Sequence, residues 1–409
     1  MTTAFVRLGW LPLLVAQIAL AQPPASKTEP APATAPVEDF KPAPSNQAGK
    51  QFPQVNPEGR ARFRVVAPEA QSVRVSFAGG TALTKGDDGT WVCTTRPLDE
   101  GFHYYTITID GAAVPDPGSM FFYGAGRWGS AIEVPAKDQD FYALKDVSHG
   151  QLRQTLYPSK STNATRRCFV YTPPDYDKDP AKRYPVLYLQ HGYAEDETGW
   201  GSQGHANLIL DNLIAAGKAN PMIIVMDNGM VGVGAPGGGP ARGGPNAPPG
   251  GAPAAGSPDK GGPGGRGGFN VSAFSDILLQ ELIPFIDSNY RTQADQQHRA
   301  MAGLSMGGMQ TIRITLANLD KFSHIGVFSG GSIAPDNPAL ADPAKFKEKV
   351  KVVFVSYGSR ENTAAAKANH EALEKLGIAN TYYESPETAH EWQTWRRSLY
   401  QFAPLLFRD

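Results

Sequence analysis

The stretch that most constrains the fold is residues 302–308, which reads Ala-Gly-Leu-Ser-Met-Gly-Gly. It contains the pattern Gly-x-Ser-x-Gly, in which a serine occupies a sharp turn between a strand and a helix. The flanking glycines relieve crowding at such a turn because they have no Cβ. Residues 299–302 fit a buried strand, and the apolar residues after the turn follow helical spacing. The pattern therefore predicts a nucleophile at Ser305 rather than a simple glycine–serine loop.

The chain from Gln151 onward alternates predicted strands with predicted helices, which is typical of a mostly parallel sheet. Apolar runs such as residues 222–226 fit strands that are covered on both faces. The predicted strands are residues 166–171, 185–190, 222–227, 300–303, 325–329, 352–357 and 381–384. The predicted helices are residues 205–216, 275–290, 306–318, 364–376 and 391–406. With the serine turn, this order predicts an α/β-hydrolase fold, a doubly wound sheet, over residues 151–409.

A nucleophilic serine needs a base, and in this fold the functional residues follow the order serine, acid, histidine. His324, His370 and His390 come after Ser305 in the sequence. His390 lies in the loop between the last predicted strand and the final helix, where this fold carries its base. His370 falls inside a predicted helix, and His324 precedes a strand that leads away from the turn. We therefore predict His390 as the general base.

The acid that orients the base is expected after the preceding strand. Glu361 is the only carboxylate in the loop of residues 358–362 that follows this strand. A glutamate orients an imidazole as an aspartate does, with one more rotatable bond to fix, and a helix cap is its alternative role. We predict Glu361 as the acid, with Asp336 and Asp342 as the alternatives.

Acyl transfer at a serine also needs two N–H donors for the developing oxyanion. One is the backbone N–H of Met306, directly after the nucleophile. The other is expected from the loop His191-Gly192-Tyr193, which follows the strand of residues 185–190. We assign it to the N–H of Tyr193, since Gly192 permits close approach to a substrate. His191 is then a structural residue.

The first 21 residues have the features of a signal peptide. Arg7 supplies a positive charge, and residues 8–20 form an apolar run shorter than the roughly 20 residues of a membrane span. Ala19-Leu20-Ala21 fits a cleavage site, so we predict a secreted or periplasmic protein cut after Ala21, with an uncleaved anchor as the alternative. Removal of Arg7 leaves 37 basic and 39 acidic side chains, a net charge of −2. That charge gives no reason to expect a nucleic acid or membrane partner.

Two regions of different composition follow. Residues 22–48 are rich in proline, alanine and small polar residues, which predicts a disordered tether. Residues 49–135 carry short β-branched and aromatic runs separated by turn residues, which predicts an all-β sandwich. A connector is predicted over residues 136–150. The predicted β runs are residues 61–66, 72–77, 90–95 and 102–109.

Aromatic residues are dense in the predicted sandwich. Strand residues such as Trp91 are expected in its core, whereas residues 121–128 are predicted to form an exposed, glycine-bearing loop. Aromatic faces bind sugars, but they also fill interfaces. Contact of this region with a glycan and packing of the region onto the α/β part therefore both remain open.

The segment of residues 231–268 interrupts the α/β alternation. It contains 16 glycines and 8 prolines, so it cannot bury a core and is predicted to be disordered. It follows the strand that ends at Asp227, and the carboxyl ends of strands border the active site in doubly wound sheets. A neutral expansion and a lid over the substrate are the two interpretations.

The residues indicate no metal or cofactor. Cys93 and Cys168 fall in different predicted regions, and two free thiols or one disulfide are both compatible with an exported protein. His390-Glu391 is not followed by the second histidine of a zinc-binding His-Glu-x-x-His helix.

In combination, these stretches resemble the esterase D group of α/β-hydrolases, which includes carbohydrate esterase family 1 with its feruloyl and acetyl xylan esterases. The region of residues 49–135 resembles the immunoglobulin-like domain, related to family 48 carbohydrate-binding modules, that precedes many secreted esterases. The acid in many members is aspartate, and the segment 231–268 is foreign to the pattern. The stretches that carry the esterase resemblance are residues 171–176, 185–192, 282–286 and 303–308, and His390-Glu391-Trp392 with Trp395-Arg396.

The resemblance implies a serine esterase that removes feruloyl or acetyl groups from plant xylan through an acyl-serine, with Ser305, Glu361 and His390 as triad and Met306 and Tyr193 as oxyanion donors. It implies an ester or polysaccharide substrate and no cofactor. Alternatives of the same fold are a siderophore trilactone esterase and a mycolyl-type acyltransferase. The non-enzyme alternative is a degenerate glycan-binding protein.

Overall fold

The computed structural model of the protein describes residues 39–77, 80–231 and 271–408, together with Met1. The predicted signal peptide after Met1, the tether before Asp39 and all but the first residue of the segment 231–268 lie outside the described residues. Their predictions are therefore not tested. From Asp39 onward, the described residues form one compact unit.

The N-terminal part of this unit is built from short antiparallel strands in three sheets, ordered β1-β2-β3-β7-β6, β10-β9-β4-β5 and β11-β12-β8. This confirms the all-β prediction, while an immunoglobulin-like arrangement stays a prediction. The strands are β1 Lys41–Pro42, β2 Gln54–Val55, β3 Arg60–Val66, β4 Val73–Val75, β5 Thr81–Ala82, β6 Thr84–Lys85, β7 Thr90–Pro97, β8 Gly101–Tyr105, β9 Ile107–Ile109, β10 Ala112–Val114, β11 Phe121–Gly124 and β12 Arg127–Val134.

Three predictions for this region are wrong in detail. Residues 39–48 are not tether, because β1 pairs with β2 and Ser45 Oγ donates a buried hydrogen bond to Ala131 O at 3.0 Å. Residues 121–128 are not a loop, because Tyr123 lies opposite Trp128 in the β11–β12 hairpin. The run 102–109 is not one strand, because β8 and β9 belong to different sheets.

The C-terminal part is organised around one sheet of eight described strands, ordered β13-β14-β16-β15-β17-β18-β19-β20. The pairs β13–β14 and β14–β16 are antiparallel, and the others are parallel. The mostly parallel sheet confirms the predicted fold class. The strands are β13 Gln151–Ser159, β14 Ala164–Thr172, β15 Val186–Gln190, β16 Ile223–Asp227, β17 Arg299–Leu304, β18 His324–Phe328, β19 Val352–Gly358 and β20 Thr381–Ser385.

Helices cover both faces of this sheet, and every residue of β15 to β18 is buried. This explains why those strands are almost continuously apolar. The predicted helix 275–290 starts earlier, at Val271, and contains a π-helical segment at Ile277–Leu282. The helices are α1 Gly199–Ser202, α2 Ala206–Ala215, α3 Val271–Asp276, α4 Ile283–Asn289, α5 Met306–Ala317, α6 Pro343–Lys349, α7 Ala364–Lys375 and α8 Trp392–Phe402.

The two parts share a hydrophobic core. Phe102 of β8, Phe122 of β11 and Ala131 of β12 belong to the same buried cluster as α2 and α8 of the C-terminal part. The predicted connector adds to it through Phe141 and Tyr142. A second cluster, which includes Phe63 and Trp91, fills the rest of the N-terminal sheets. The sheet of β8, β11 and β12 therefore packs directly on the α/β part.

Candidate functional site

Ser305 occupies the turn between β17 and α5, as the sequence pattern predicts. Its φ of 51° and ψ of −115° lie outside the helical region, and positive φ at a non-glycine residue is a strained conformation. A Cβ at Gly303 would lie 2.5 Å from the backbone carbon of Gly307, and a Cβ at Gly307 would lie 2.6 Å from His191 O. Glycine is therefore sterically required on both sides of the serine.

The structure brings His390 and Glu361 to Ser305. His390 Nε2 lies 2.9 Å from Ser305 Oγ, and His390 Nδ1 lies 2.9 Å from Glu361 Oε2. His390 precedes α8 and Glu361 follows β19, so both come from loops at the carboxyl edge of the sheet. This geometry is that of a serine nucleophile with a general base and an orienting carboxylate.

Hydrogen bonds hold the Glu361 carboxyl in its ionised form. Its Oε1 accepts from Ser329 Oγ at 2.7 Å and from the N–H of Gly358 at 2.8 Å. Burial disfavours the charge, but the hydrogen bonds from His390, Ser329 and Gly358 outweigh it and hold the pKa of Glu361 below its usual value. The carboxylate is therefore available to orient His390 and to stabilise its protonated form.

Ser329 and Trp395 support the site; the sequence marked Trp395 only as part of the esterase resemblance and gave no signal for Ser329. Trp395 Nε1 donates to Ser329 Oγ at 3.2 Å, and its ring meets the His390 ring edge-on at 5.1 Å between centroids. Ser329 directly follows β18 and has a φ of 50°. A strained, non-glycine residue at the end of a central strand is visible only in the structure.

The other histidines and carboxylates considered from the sequence lie elsewhere. His324 is buried, contacts Ser323 Oγ at 2.7 Å and accepts from the N–H of Phe407 at 3.1 Å. His370 lies in α7, with Nδ1 2.6 Å from Asn380 Oδ1. Asp342 caps α6 by accepting from two backbone N–H groups, and Asp336 is exposed in the preceding loop.

The loop after β15 passes directly beside Ser305. A Cβ at Gly192 would lie 2.6 Å from Leu304 Cδ1 and 3.6 Å from Ser305 Cβ. His191 Nδ1 donates to Gly192 O at 2.7 Å, and its Nε2 accepts from the N–H of Gly229 at 3.0 Å. Burial lowers the pKa of His191. His191 is thus a neutral anchor of the loop that carries Tyr193.

Met306 is the first residue of α5, and the first N–H groups of a helix have no partner within the helix. The N–H of Met306, the residue directly after Ser305, therefore makes no hydrogen bond within the helix. Tyr193 directly follows Gly192, which lies beside Ser305, and the Tyr193 residue is 46% exposed. Both predicted donors therefore belong to segments that border Ser305.

Within the described ranges, no group of three or more histidine, cysteine or carboxylate residues could hold a metal ion. No helix in the same part of the chain is long and apolar enough to cross a bilayer. Cys93 and Cys168 are both free thiols, and burial raises the pKa of Cys168.

Comparison with known proteins gives a family. The Esterase family model matches residues 159–406. The endo-1,4-beta-xylanase/feruloyl esterase of Xylanibacter ruminicola is 45% identical over 382 residues, which are 91% of this chain and 48% of that protein. The chain thus spans about half the length of this curated relative.

Solved structures show the same fold. The enterobactin esterase of Shigella flexneri matches 84% of this chain and 92% of its own at a TM-score of 0.57 and 16% identity. The feruloyl esterase module of Clostridium thermocellum, in a complex with sinapinate, matches 67% of this chain and 93% of its own at a TM-score of 0.50 and 23% identity. At these identities the likeness concerns the fold alone.

Proposed function

Because the chain belongs to the Esterase family, we propose that it hydrolyses feruloyl or acetyl esters of xylan through an acyl-serine intermediate on Ser305. The observation that carries the chemistry is the unbroken contact from Ser305 Oγ through His390 to Glu361, with 2.9 Å at each step. The xylan substrate is supported by the name of the Xylanibacter ruminicola relative.

In the proposed acylation, His390 Nε2 takes the Ser305 proton while Oγ attacks the ester carbonyl carbon. The N–H groups of Met306 and Tyr193 stabilise the oxyanion of the tetrahedral intermediate. Protonated His390, stabilised by Glu361, then gives its proton to the sugar oxygen as the bond between that oxygen and the acyl carbon breaks. The products of this half-reaction are the free sugar hydroxyl and the acyl-serine.

In the proposed deacylation, water replaces the sugar hydroxyl. His390 removes a proton from water as the water oxygen attacks the acyl carbon, and the same N–H groups stabilise the second oxyanion. The proton then returns to Ser305 Oγ as the acid departs. Each turnover thus consumes one ester bond and one water, with no redox step and no cofactor.

A panel of esters tests the proposal. We expect release of ferulate from methyl ferulate or of acetate from acetylated xylan, with a siderophore trilactone hydrolysed far more slowly. A preference for the trilactone would replace the proposed substrate class with the siderophore alternative. Absence of hydrolysis on every ester, together with binding of xylan, would favour the glycan-binding alternative.

We propose that the β11–β12 hairpin contributes a contact to the polysaccharide. Trp128 is 56% exposed and meets Tyr123 edge-on at 5.6 Å between ring centroids, so the hairpin presents aromatic surface. Aromatic side chains with large exposed faces suit sugar rings. The hairpin reaches the loop beside Ser305, since the N–H of Gly126 donates to Ala194 O at 2.8 Å.

Trp128→Ala tests this contact. We expect a loss of activity on feruloylated polysaccharide with little change on methyl ferulate, which has no sugar for the hairpin to contact. The matched control is Leu156→Ala, an exposed apolar residue of β13 that is 58% accessible. Equal effects of the two variants on the polymer would contradict the glycan contact.

We also propose that the protein is exported by cleavage after Ala21, on the strength of the charged start, apolar run and small residues of residues 1–21. The mass of the protein recovered outside the cytoplasm tests this. A mass that retains residues 1–21 would favour the anchor.

A further inference from the structure

The carboxyl group of Glu195 holds the loop of residues 191–195, which lies beside Ser305. Glu195 Oε2 accepts from the N–H of Gly192 at 3.1 Å, and the N–H of Glu195 donates to Gly192 O at 3.3 Å. The oxygen of Gly192 and the N–H of Tyr193 belong to the same peptide group, and in a planar trans peptide they point in opposite directions. Contacts that fix Gly192 O therefore fix the direction of the Tyr193 N–H.

Tyr104 reaches this carboxyl from the N-terminal part. Its hydroxyl lies 3.4 Å from Glu195 Oε1 and accepts from Gln203 Nε2 at 2.6 Å. Trp392 Nε1 also lies 3.4 Å from the hydroxyl. Trp392 follows His390 by two residues, so one phenol of β8 contacts both the segment that carries the base and the residue that braces the loop.

The Glu195 carboxyl depends on its contacts with the N–H of Gly192 and the Tyr104 hydroxyl, because the residue is buried, with 8% of its surface accessible. Burial raises its pKa to about 7, and the nearby charge of Asp196 acts in the same direction. Burial likewise raises the pKa of Tyr104, so the phenol keeps its proton. A buried polar group that loses a partner is costly, so removal of one donor would disturb the position of the carboxyl.

A second contact between the same two parts lies one residue away. The N–H of Gly126, at the tip of the β11–β12 hairpin, donates to Ala194 O at 2.8 Å. Ala194 has a φ of 60°, which a non-glycine residue adopts only when its surroundings hold it. The N-terminal part thus touches two successive residues of the loop that follows Tyr193.

We propose that Tyr104 and Glu195 are positioning residues for the esterase reaction, through which the N-terminal β region sets the direction of the Tyr193 N–H at the oxyanion. This inference rests on the proposed function of Ser305 and of the two N–H donors. It assigns to the N-terminal region an effect on the chemical step, separate from any contact with a polysaccharide.

Tyr104→Phe, with Tyr105→Phe as its matched control, tests the inference. Tyr105 is the next residue of β8, and its hydroxyl donates to Asp116 Oδ2 at 2.7 Å inside the N-terminal core. Each variant removes one buried phenol hydroxyl, but only the Tyr104 hydroxyl contacts Glu195 of the loop beside Ser305. The readouts are kcat and KM on methyl ferulate, the fraction of enzyme titrated by a phosphonate, and the melting temperature.

Loss of a complete oxyanion donor costs about 10²–10³ in kcat, so a loosened donor should cost roughly 3- to 10-fold in Tyr104→Phe and 10- to 100-fold in Glu195→Ala. We expect KM to change little. Glu195→Gln keeps an acceptor for the N–H of Gly192 and should recover most of the kcat lost in Glu195→Ala. Tyr105→Phe should lower the melting temperature without a comparable loss of kcat per titrated site.

Equal kcat values for Tyr104→Phe and Tyr105→Phe, per titrated site, would overturn the inference and leave the proposed function intact. The same conclusion would follow if Glu195→Gln were as impaired as Glu195→Ala. A wild-type enzyme that neither hydrolyses esters nor reacts with the phosphonate at Ser305 would instead overturn the proposed function itself.

Discussion

Arg396 and Glu133 form a bidentate ion pair inside the molecule, with Nη1–Oε1 and Nη2–Oε2 distances of 2.6 and 3.0 Å. Arg396 lies on α8, four residues after Trp392, and Glu133 lies on β12 of the N-terminal part. Both side chains are buried, at 0% and 9% accessibility. Burial opposes ionisation of Glu133, but the adjacent guanidinium outweighs it and lowers the pKa of the carboxyl. The interface between the two parts thus contains a fully charged pair.

Removal of one member of this pair should destabilise the whole molecule. Glu133→Ala leaves a buried, unpaired guanidinium, which costs about 3–5 kcal/mol in the free energy of unfolding. The control is Asp138→Ala, which removes the partner of Arg397 at a site where the carboxyl is 45% exposed, and should cost about 0–1 kcal/mol. Urea unfolding measures both, and similar losses would show that the buried pair has no special weight.

Ser305→Ala should abolish ester turnover and leave the fold intact, because the serine makes no contact that the fold needs. A residual rate of roughly 10³–10⁴ above the uncatalysed reaction is expected from the oxyanion donors and binding alone. Circular dichroism and the melting temperature check the fold, and mass spectrometry after phosphonate treatment locates the reactive residue. A stoichiometric adduct on a different serine would contradict the assignment.

Glu361→Gln should lower kcat by roughly 10²–10⁴, since the corresponding change in the serine-protease triad costs about 10⁴. The amide can donate to Nδ1, which favours the wrong tautomer of His390, and it cannot stabilise the protonated ring. KM should change little. Asp342→Asn is the matched control, because Asp342 caps α6. Near-normal turnover of Glu361→Gln would contradict its assignment as the acid, and a large loss in Asp342→Asn would then favour Asp342.

Glu195→Gln should stabilise the protein increasingly as the pH rises. The pKa of Glu195 is about 7 in the fold against 4.5 for an exposed glutamate. The folded state therefore holds more protons than the unfolded state, and stability falls between these two pH values. The uncharged amide avoids this loss, which reaches up to about 3 kcal/mol above pH 7. The melting temperatures of both proteins from pH 4.5 to 8 measure the effect.

Glu361→Gln provides a control of opposite sign. The pKa of Glu361 is lowered from 4.5 in the fold, so its charge contributes stability above that pH, and the contribution disappears as the pH falls through the folded value. The deficit of Glu361→Gln against the wild type should therefore shrink below pH 4.5, so for this variant the melting temperatures are also measured in that more acidic range. A pH-independent difference for Glu195→Gln would show that Glu195 is not held neutral by burial.

Local patterns were sufficient to predict the elements that carry the proposed chemistry. The strand before Ser305 and the helix after it were predicted within two residues of β17 and α5, because apolar runs and the glycine spacing are strong local signals. His390 and Glu361 were found by their places after β20 and β19. These loops meet at one edge of the sheet because parallel strands end there together.

Contacts between residues that are distant in the sequence left no comparable local pattern from which they could be predicted. Glu195 stands in the acidic run Glu195-Asp196-Glu197, a composition typical of a solvated surface, yet only 8% of Glu195 is accessible. Tyr104 lies in an aromatic strand, where it reads as core. Strand β13 was missed because most of its residues are polar and because, among the described strands, it lies at the edge of the sheet beside β14. Tertiary packing decides each of these cases.

The shared core also limits where recombination can join the coding sequence of this protein to that of another. A recombination joint placed at residue 135, where the β region ends in the sequence, would separate Phe102, Phe122 and Ala131 from the α2 and α8 residues that bury them. Each fragment would inherit an uncovered apolar face, and α8 would also lose the anion that neutralises Arg396. A genetic exchange that keeps this core closed therefore has to carry β8, β11 and β12 together with α2 and α8.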